Sequence, residues 1–278
     1  MRILVSNDDG INARGIRVLA HRLAQEKDFE VYVCAPDRER SATGHALTLH
    51  KPLRVEEVDL GSQVKGAWLT TGTPSDCVKF AVGCLLKDIK FDFVISGINS
   101  GANLGGEILY SGTVSAAMEG AFLDVPSIAV SCAGGTGKRH YEPAAEFVSK
   151  IVRTLKGAEF LVGKTLININ VPNVPPEEIK GVQLTKLGVR AYNDWFEKRV
   201  DPRGKTYYWL AGEAIEEGEE ENTDAWAITH KLISITPVTF NMTDFKLIDR
   251  LQQWTDLSAF LGPSGFHGGK LEAGKDAK

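Results

Sequence analysis

Asp8 and Asp9 stand side by side in the run Asn7-Asp-Asp-Gly10, directly after a short apolar segment, Arg2-Ile-Leu-Val-Ser6. Adjacent carboxylates at the carboxyl end of a buried strand destabilise each other's charged forms unless a cation sits between them. Open α/β sheets bind ligands in the crevice outside the carboxyl ends of their strands. The hard ions Mg²⁺ and Mn²⁺ favour carboxylate, amide and hydroxyl oxygens. A solvated Asp-Gly turn explains the same residues equally well. On this run alone the two readings are even.

Later loops break the tie. Ala35-Pro-Asp-Arg-Glu-Arg-Ser41 offers acids, two arginines and a hydroxyl, and Ser96 to Gly106 is a long glycine-rich loop holding Asn99 and Asn103. Asp8, Asp9, Ser41 and Asn99 together make a donor set of hard oxygens suited to a divalent ion. The glycine-rich loop runs into Tyr110-Ser-Gly-Thr-Val114 at the start of a helix. A helix N-terminus presents unpaired N–H groups and a positive dipole end, and so suits an anion. Ser111 and Thr113 add hydroxyls, and Gly112 permits close approach of a phosphate. Ordinary capping by Ser111 or Thr113 accounts for the same segment more plainly. A metal flanked by a phosphate pocket is the layout of a phosphomonoester hydrolase. Arg38 and Arg40 are candidates for phosphate or base contacts, or for pairing with nearby acids.

Composition narrows the field. The chain has 278 residues and a formal net charge of -4, without a long basic run, which argues against binding nucleic-acid polymers. No apolar stretch approaches the ~20 residues of a membrane span. The N-terminal apolar run is too short for a signal peptide. The four cysteines, Cys34, Cys77, Cys84 and Cys132, form no CxxC pair, and the six histidines no HExxH. They read as free buried thiols in a reducing cytoplasm, with Cys77 and Cys84 on one helical face. No GxGxxG follows the first strand, which counts against a nicotinamide enzyme.

The elements that must position these residues follow from periodicity. Ile16, Leu19, Ala20 and Leu23 recur at helical spacing and are followed by a β-rich run, Glu30 to Cys34. Thr73-Pro74-Ser75-Asp76 is a helix start, with Thr73 as cap, Pro74 in the first turn and Asp76 at the positive dipole end. Its apolar face runs through Cys77, Phe80, Ala81, Cys84 and Leu85. Strands at Phe91–Ser96, Ser127–Ser131 and Thr165–Ile169 alternate with helices through Val114–Phe122 and Phe147–Leu155. Such alternation predicts an α/β fold, a Rossmann-like, mostly parallel sheet with helices on both faces. Leu53 to Val58 reads as a small hairpin or edge strands. The pattern predicts a catalytic core over 1–174 and a β-rich extension over 175–230. A return strand and a C-terminal helix packing on the core follow over 231–261, then a disordered tail over 262–278. The acidic run Glu216 to Glu221 reads as a solvated loop.

The runs SNDDG (6–10), APDRERS (35–41), GTPSDCV (72–78), SGINSGANLG (96–105) and YSGTVSAAMEG (110–120) resemble, in order, the SurE family of stationary-phase survival proteins. The resemblance continues weakly through SITP (234–237). It implies a metal-dependent 5′/3′-nucleotidase that releases phosphate from nucleoside monophosphates. Its metal ligands fall on Asp8, Asp9, Ser41 and Asn99, the four residues already reached from ligand chemistry. Asp8 and Asp9 take the catalytic part, and Asn99, Ser111, Gly112 and Thr113 bind phosphate. One Mg²⁺ or Mn²⁺ per subunit is implied, as is a homodimer or homotetramer built through 175–230. The aromatics there (Tyr192, Trp195, Phe196, Tyr207, Tyr208, Trp209) are too many for a solvated excursion. Ala42 and Arg14 depart from residues usual in the family, but neither replaces a ligand. The alternatives are a non-catalytic nucleotide-binding module and an aspartyl-phosphate phosphatase. The latter needs its second acid two residues after the first, and here the acids are adjacent.

Overall fold

A computed structural model describes residues 1–135, 137–158, 165–189, 191–215 and 220–254. Two compact units are formed, Met1–Thr239 and Phe240–Lys278. The first is built on a nine-stranded sheet. Its strands are β1 (Arg2–Ser6), β2 (Glu30–Pro36), β3 (Val55–Glu57), β4 (Gly66–Thr70), β5 (Phe93–Asn99), β6 (Ser127–Ala133), β7 (Thr165–Pro172), β8 (Gly181–Leu184) and β11 (Leu232–Thr239). β9 (Ala191–Val200) and β10 (Thr206–Ile215) pair with each other as an antiparallel hairpin, and among the described residues with no other strand.

The sheet order is β3-β4-β2-β1-β5-β6-β7-β11-β8. Pairing is parallel from β4 to β7, while β3 and β11 run antiparallel to their neighbours β4 and β7. The chain winds outward from β1 through β2 to β4, then returns to β5 on the other side of β1. The reversal point therefore lies between β1 and β5, where such sheets open a crevice for a ligand. The predicted Rossmann-like α/β fold is the observed one.

Side chains on successive strand residues point to opposite faces, so a sheet covered on both sides needs apolar residues throughout. β1 shows this: Ile3 and Val5 join one core cluster and Leu4 the other. Helices α1 (Arg14–Ala24) and α4 (Tyr141–Leu155) cover the first face, and Ile16, Leu19, Ala20 and Leu23 bury as their spacing predicts. Helices α2 (Pro74–Phe80) and α3 (Gly112–Phe122) contribute Cys77, Val78 and Ala116 to the second. Thr73 and Asp76 form a reciprocal capping box with Pro74 in the first turn, as the sequence signals.

Some elements differ from the sequence reading. After Phe80 the helix widens into a π turn, Ala81–Leu85. The extra residue per turn rotates the apolar face, so Cys77 is buried but Cys84 is exposed rather than beside it. β5 continues past Ser96 through a register shift, which brings Asn99 opposite Ser131. A short helix, α5 (Asp224–Thr229), capped by Thr223, lies within the segment expected to be β-rich. The second unit holds α6 (Phe245–Gln252), capped by Asp244. Much of the acidic run (216–219) and the whole tail (262–278) lie outside the described residues.

Candidate active site

β1 delivers Asn7-Asp-Asp-Gly10 to the reversal point. Asn7 closes the turn from both sides: its Nδ2 donates to the Gly10 carbonyl (3.0 Å), and the Gly10 N–H donates to its Oδ1 (3.2 Å). Gly10 has φ +93°, and a Cβ there would lie 2.9 Å from the Arg38 backbone, so only glycine fits. The Arg40 N–H donates to the Asp8 carbonyl (2.7 Å) and lays the loop after β2 alongside. That loop carries Ser41.

Asp8 is buried beneath the first turn of α3 and accepts from the Thr113 hydroxyl at 2.5 Å. Burial raises its carboxyl pKa, and the Thr113 donor only partly offsets the shift. Asp9, half-buried, accepts from the Ser100 N–H (3.1 Å). Burial first, and then the charge of Asp8, push Asp9 up to about 6. Glu39 raises both acids further, while Arg139 draws Asp9 down. The Ser41 hydroxyl donates to Glu39 (2.6 Å), leaving its oxygen lone pairs free. Asn99, at the end of β5, donates through Nδ2 to the Gly101 carbonyl (3.1 Å), so its carbonyl oxygen remains available as an acceptor.

The sequence reading of two neighbouring segments is refined. Gly112 makes room for Asp8: a Cβ there would lie 2.7 Å from Asp8 Cβ and 2.9 Å from its Oδ2. Ser111 caps α3 through its hydroxyl, accepting from the Val114 N–H (3.0 Å). The Asp8 carboxylate lies at this helix end, where the positive dipole end favours it. Asn103, grouped with Asn99 by sequence, is scaffold. It is buried, donates to Asn170 (2.9 Å) and Ser131 (2.7 Å), and its carbonyl accepts from Asn168 and Asn170. Glu39 and Arg139, whose charges reach the acid pair, were not singled out from sequence; the clue to Glu39 was an acid two residues before Ser41.

The donor set suits a divalent ion of the hard class. Among the described residues no group of three His, Cys, Asp or Glu side chains converges, so an ion here relies on the carboxylate pair and neutral oxygens. Two buried, mutually repelling carboxyls gain most from such an ion.

Fold and site together define a doubly wound α/β protein with a carboxylate pair at the topological reversal point. The model of the family described as Survival protein SurE matches residues 3–194. The chain belongs to that family. It is 53% identical over 260 residues to a protein of Thermosynechococcus vestitus named 5′-nucleotidase SurE, covering 91% of this chain and 96% of the relative. It is 50% identical over 258 residues to one of the same name from Synechococcus elongatus, covering 90% and 98%. The crystal structure of the SurE protein from Aquifex aeolicus superposes with TM-score 0.76 at 39% identity, covering 91% of this chain and 99% of that one.

Proposed function

We propose that this protein is a metal-dependent phosphomonoester hydrolase that releases phosphate from nucleoside 5′-monophosphates and also accepts 3′-monophosphates. The observation that carries the reading is the Asp8–Asp9 pair at the reversal point, flanked by Asn99 and the Ser41 loop. Relatives about half identical to it over nine-tenths of its length bear the name 5′-nucleotidase.

Asp8, Asp9, Ser41 and Asn99 would hold one Mg²⁺ or Mn²⁺ per subunit, which when bound would supply charge neutralisation at the phosphate and acidification of a water. The residues do the rest. Thr113 fixes the rotamer of Asp8 through a short hydrogen bond, and Ser100 holds one oxygen of Asp9. The other Asp9 oxygen is left to orient the attacking water. Asn99 and the first-turn N–H groups of Ser111, Gly112 and Thr113 direct donors at the phosphoryl oxygens, preorganised by the cap.

Residues 175–230 serve as an oligomerisation arm, and the assembly is a homodimer or homotetramer. Among the described residues the β9–β10 hairpin joins no other strand, and an isolated hairpin is marginally stable in water. On one face it exposes Phe196 (70%), Tyr208 (59%) and Leu210 (64%), which a second copy would cover. Among the described residues no helix is long and apolar enough to cross a membrane. The free thiols fit a cytoplasmic setting.

The test is inorganic phosphate release from 5′- and 3′-mononucleotides with Mn²⁺ or Mg²⁺, with and without EDTA, for wild type and Asp8→Asn. Metal-dependent release that the substitution abolishes is expected. No release from folded protein with either ion rejects the enzyme and favours a nucleotide-binding module.

A further inference from the structure

The segment that carries Ser41 has no helix or strand of its own between residues 41 and 51. Its position depends on a few tethers. Gly44 donates to the Tyr110 carbonyl (3.0 Å), Thr73 donates to the Ala46 carbonyl (2.7 Å), and the Thr48 N–H donates to Asp76 (3.0 Å). The tether between side chains is of another kind. His45 Nε2 lies 2.8 Å from Glu119 Oε2, and Lys79 Nζ donates to Glu119 Oε1 at 2.7 Å. The His45 ring also stacks on Phe122, with centroids 5.4 Å apart and planes 7° from parallel.

Glu119 is a carboxylate only 3% exposed, in the middle of α3, and none of the chemistry above uses it. Burying a charge costs free energy unless it is paired, and here both carboxylate oxygens have partners. Burial would raise its pKa, yet the His45 and Lys79 bonds outweigh burial and hold it below the usual range. The first turn of the same helix contacts Asp8 through Thr113. About two turns further along, it holds His45. One rigid helix thereby fixes both a carboxylate of the site and the segment bearing its hydroxyl.

We propose that His45, clamped on Glu119, is a positioning residue that holds the Ser41-bearing segment in register with the Asp8–Asp9 pair. The inference rests on the reading of Ser41 as a metal ligand. His45 touches neither substrate nor metal; it acts through the segment.

Two readouts on the full chain test this: amide hydrogen exchange across 42–49 in metal-free protein, and Mn²⁺ affinity by calorimetry. A lost hydrogen bond to a charged, partly buried group corresponds to about tenfold in an equilibrium. His45→Ala is therefore expected to speed exchange across 42–49 by about tenfold and to weaken Mn²⁺ binding by a similar factor. His45→Gln, which can still donate to Glu119, restores both. His45→Phe keeps the stack on Phe122 without the donor and behaves like His45→Ala.

Unchanged exchange in both His45→Ala and His45→Phe overturns the clamp. Faster exchange with unchanged Mn²⁺ affinity overturns its role at Ser41, and Ser41→Ala then separates the causes. If Ser41→Ala binds Mn²⁺ as wild type does, the ligand reading has failed. If it binds more weakly, that reading stands and only the positioning role is lost.

Discussion

Gly15→Ala is the most searching perturbation of the link between fold and site, because two effects of opposite sign compete. Gly15 lies in the first turn of α1 with ordinary helical φ, so alanine there should help the helix, by up to about 1 kcal/mol. The added Cβ, however, would sit 2.0 Å from the Ile98 carbonyl oxygen, with Tyr141 at 3.4 Å on another side. Ordinary contact begins near 3.4 Å, so α1 and β5 must part by about 1.4 Å. The obstacle is backbone and cannot rotate away. Overpacking of this kind costs about 1–3 kcal/mol, occasionally more. The clash wins, and a net loss of about 1–2 kcal/mol lowers Tm by roughly 2–4 °C at this chain length.

The displaced carbonyl belongs to the residue before Asn99, so the site moves with it. Misplacement by about 1 Å can cost on the order of a hundredfold in rate. The assay pairs thermal unfolding by circular dichroism with Mn²⁺-dependent phosphate release. Gly83→Ala, where a Cβ would meet nothing within 4 Å, is the control and should be near neutral. A Gly15→Ala protein with unchanged or raised Tm and full phosphate release would refute the reasoning.

Three further outcomes are expected. Thr113→Val removes the donor to buried Asp8, raises that carboxyl further, and should cut phosphate release at neutral pH by at least about tenfold, whereas Thr113→Ser retains most of it; equal rates for both variants count against the role. Asp9 titrates near 6 in the folded chain against 3.8 as its ordinary value, so the metal-free fold holds the proton more tightly than the unfolded chain does. Metal-free protein should therefore lose on the order of 2 kcal/mol as pH rises through that window; Asp9→Asn should flatten the loss, measured by urea unfolding in EDTA. Glu26 is bound by Arg22, Arg153 and Ser149, which hold it down to about 2 from 4.5, so its contribution is complete above pH 4.5 and fades as pH falls towards 2. Glu26→Gln should remove that acid-limb slope, at a cost under about 1 kcal/mol at pH 7, and an unaltered acid limb argues against the network.

What the sequence by itself determined was whatever a few neighbouring residues decide. Helix α1 follows from Ile16, Leu19, Ala20 and Leu23 at helical spacing, and the start of α2 from Thr73-Pro74-Ser75-Asp76. The alternation of strands and helices required a sheet buried on both faces, and Asp8, Asp9, Ser41 and Asn99 were recognisable as hard donors at strand ends. Tertiary structure decided what depends on contacts between distant segments. It gave Asn103 its role as scaffold, because the partners of Asn103 lie on β6 and β7. The need for glycine at 112 comes from Asp8, roughly a hundred residues earlier, and the burial of Glu119 only made sense beside His45 and Lys79. The π turn that exposes Cys84 replaced a helix that local periodicity favoured. Propensity and capping act within a turn or two of chain, whereas close approach and charge pairing depend on packing, which brings residues together regardless of separation.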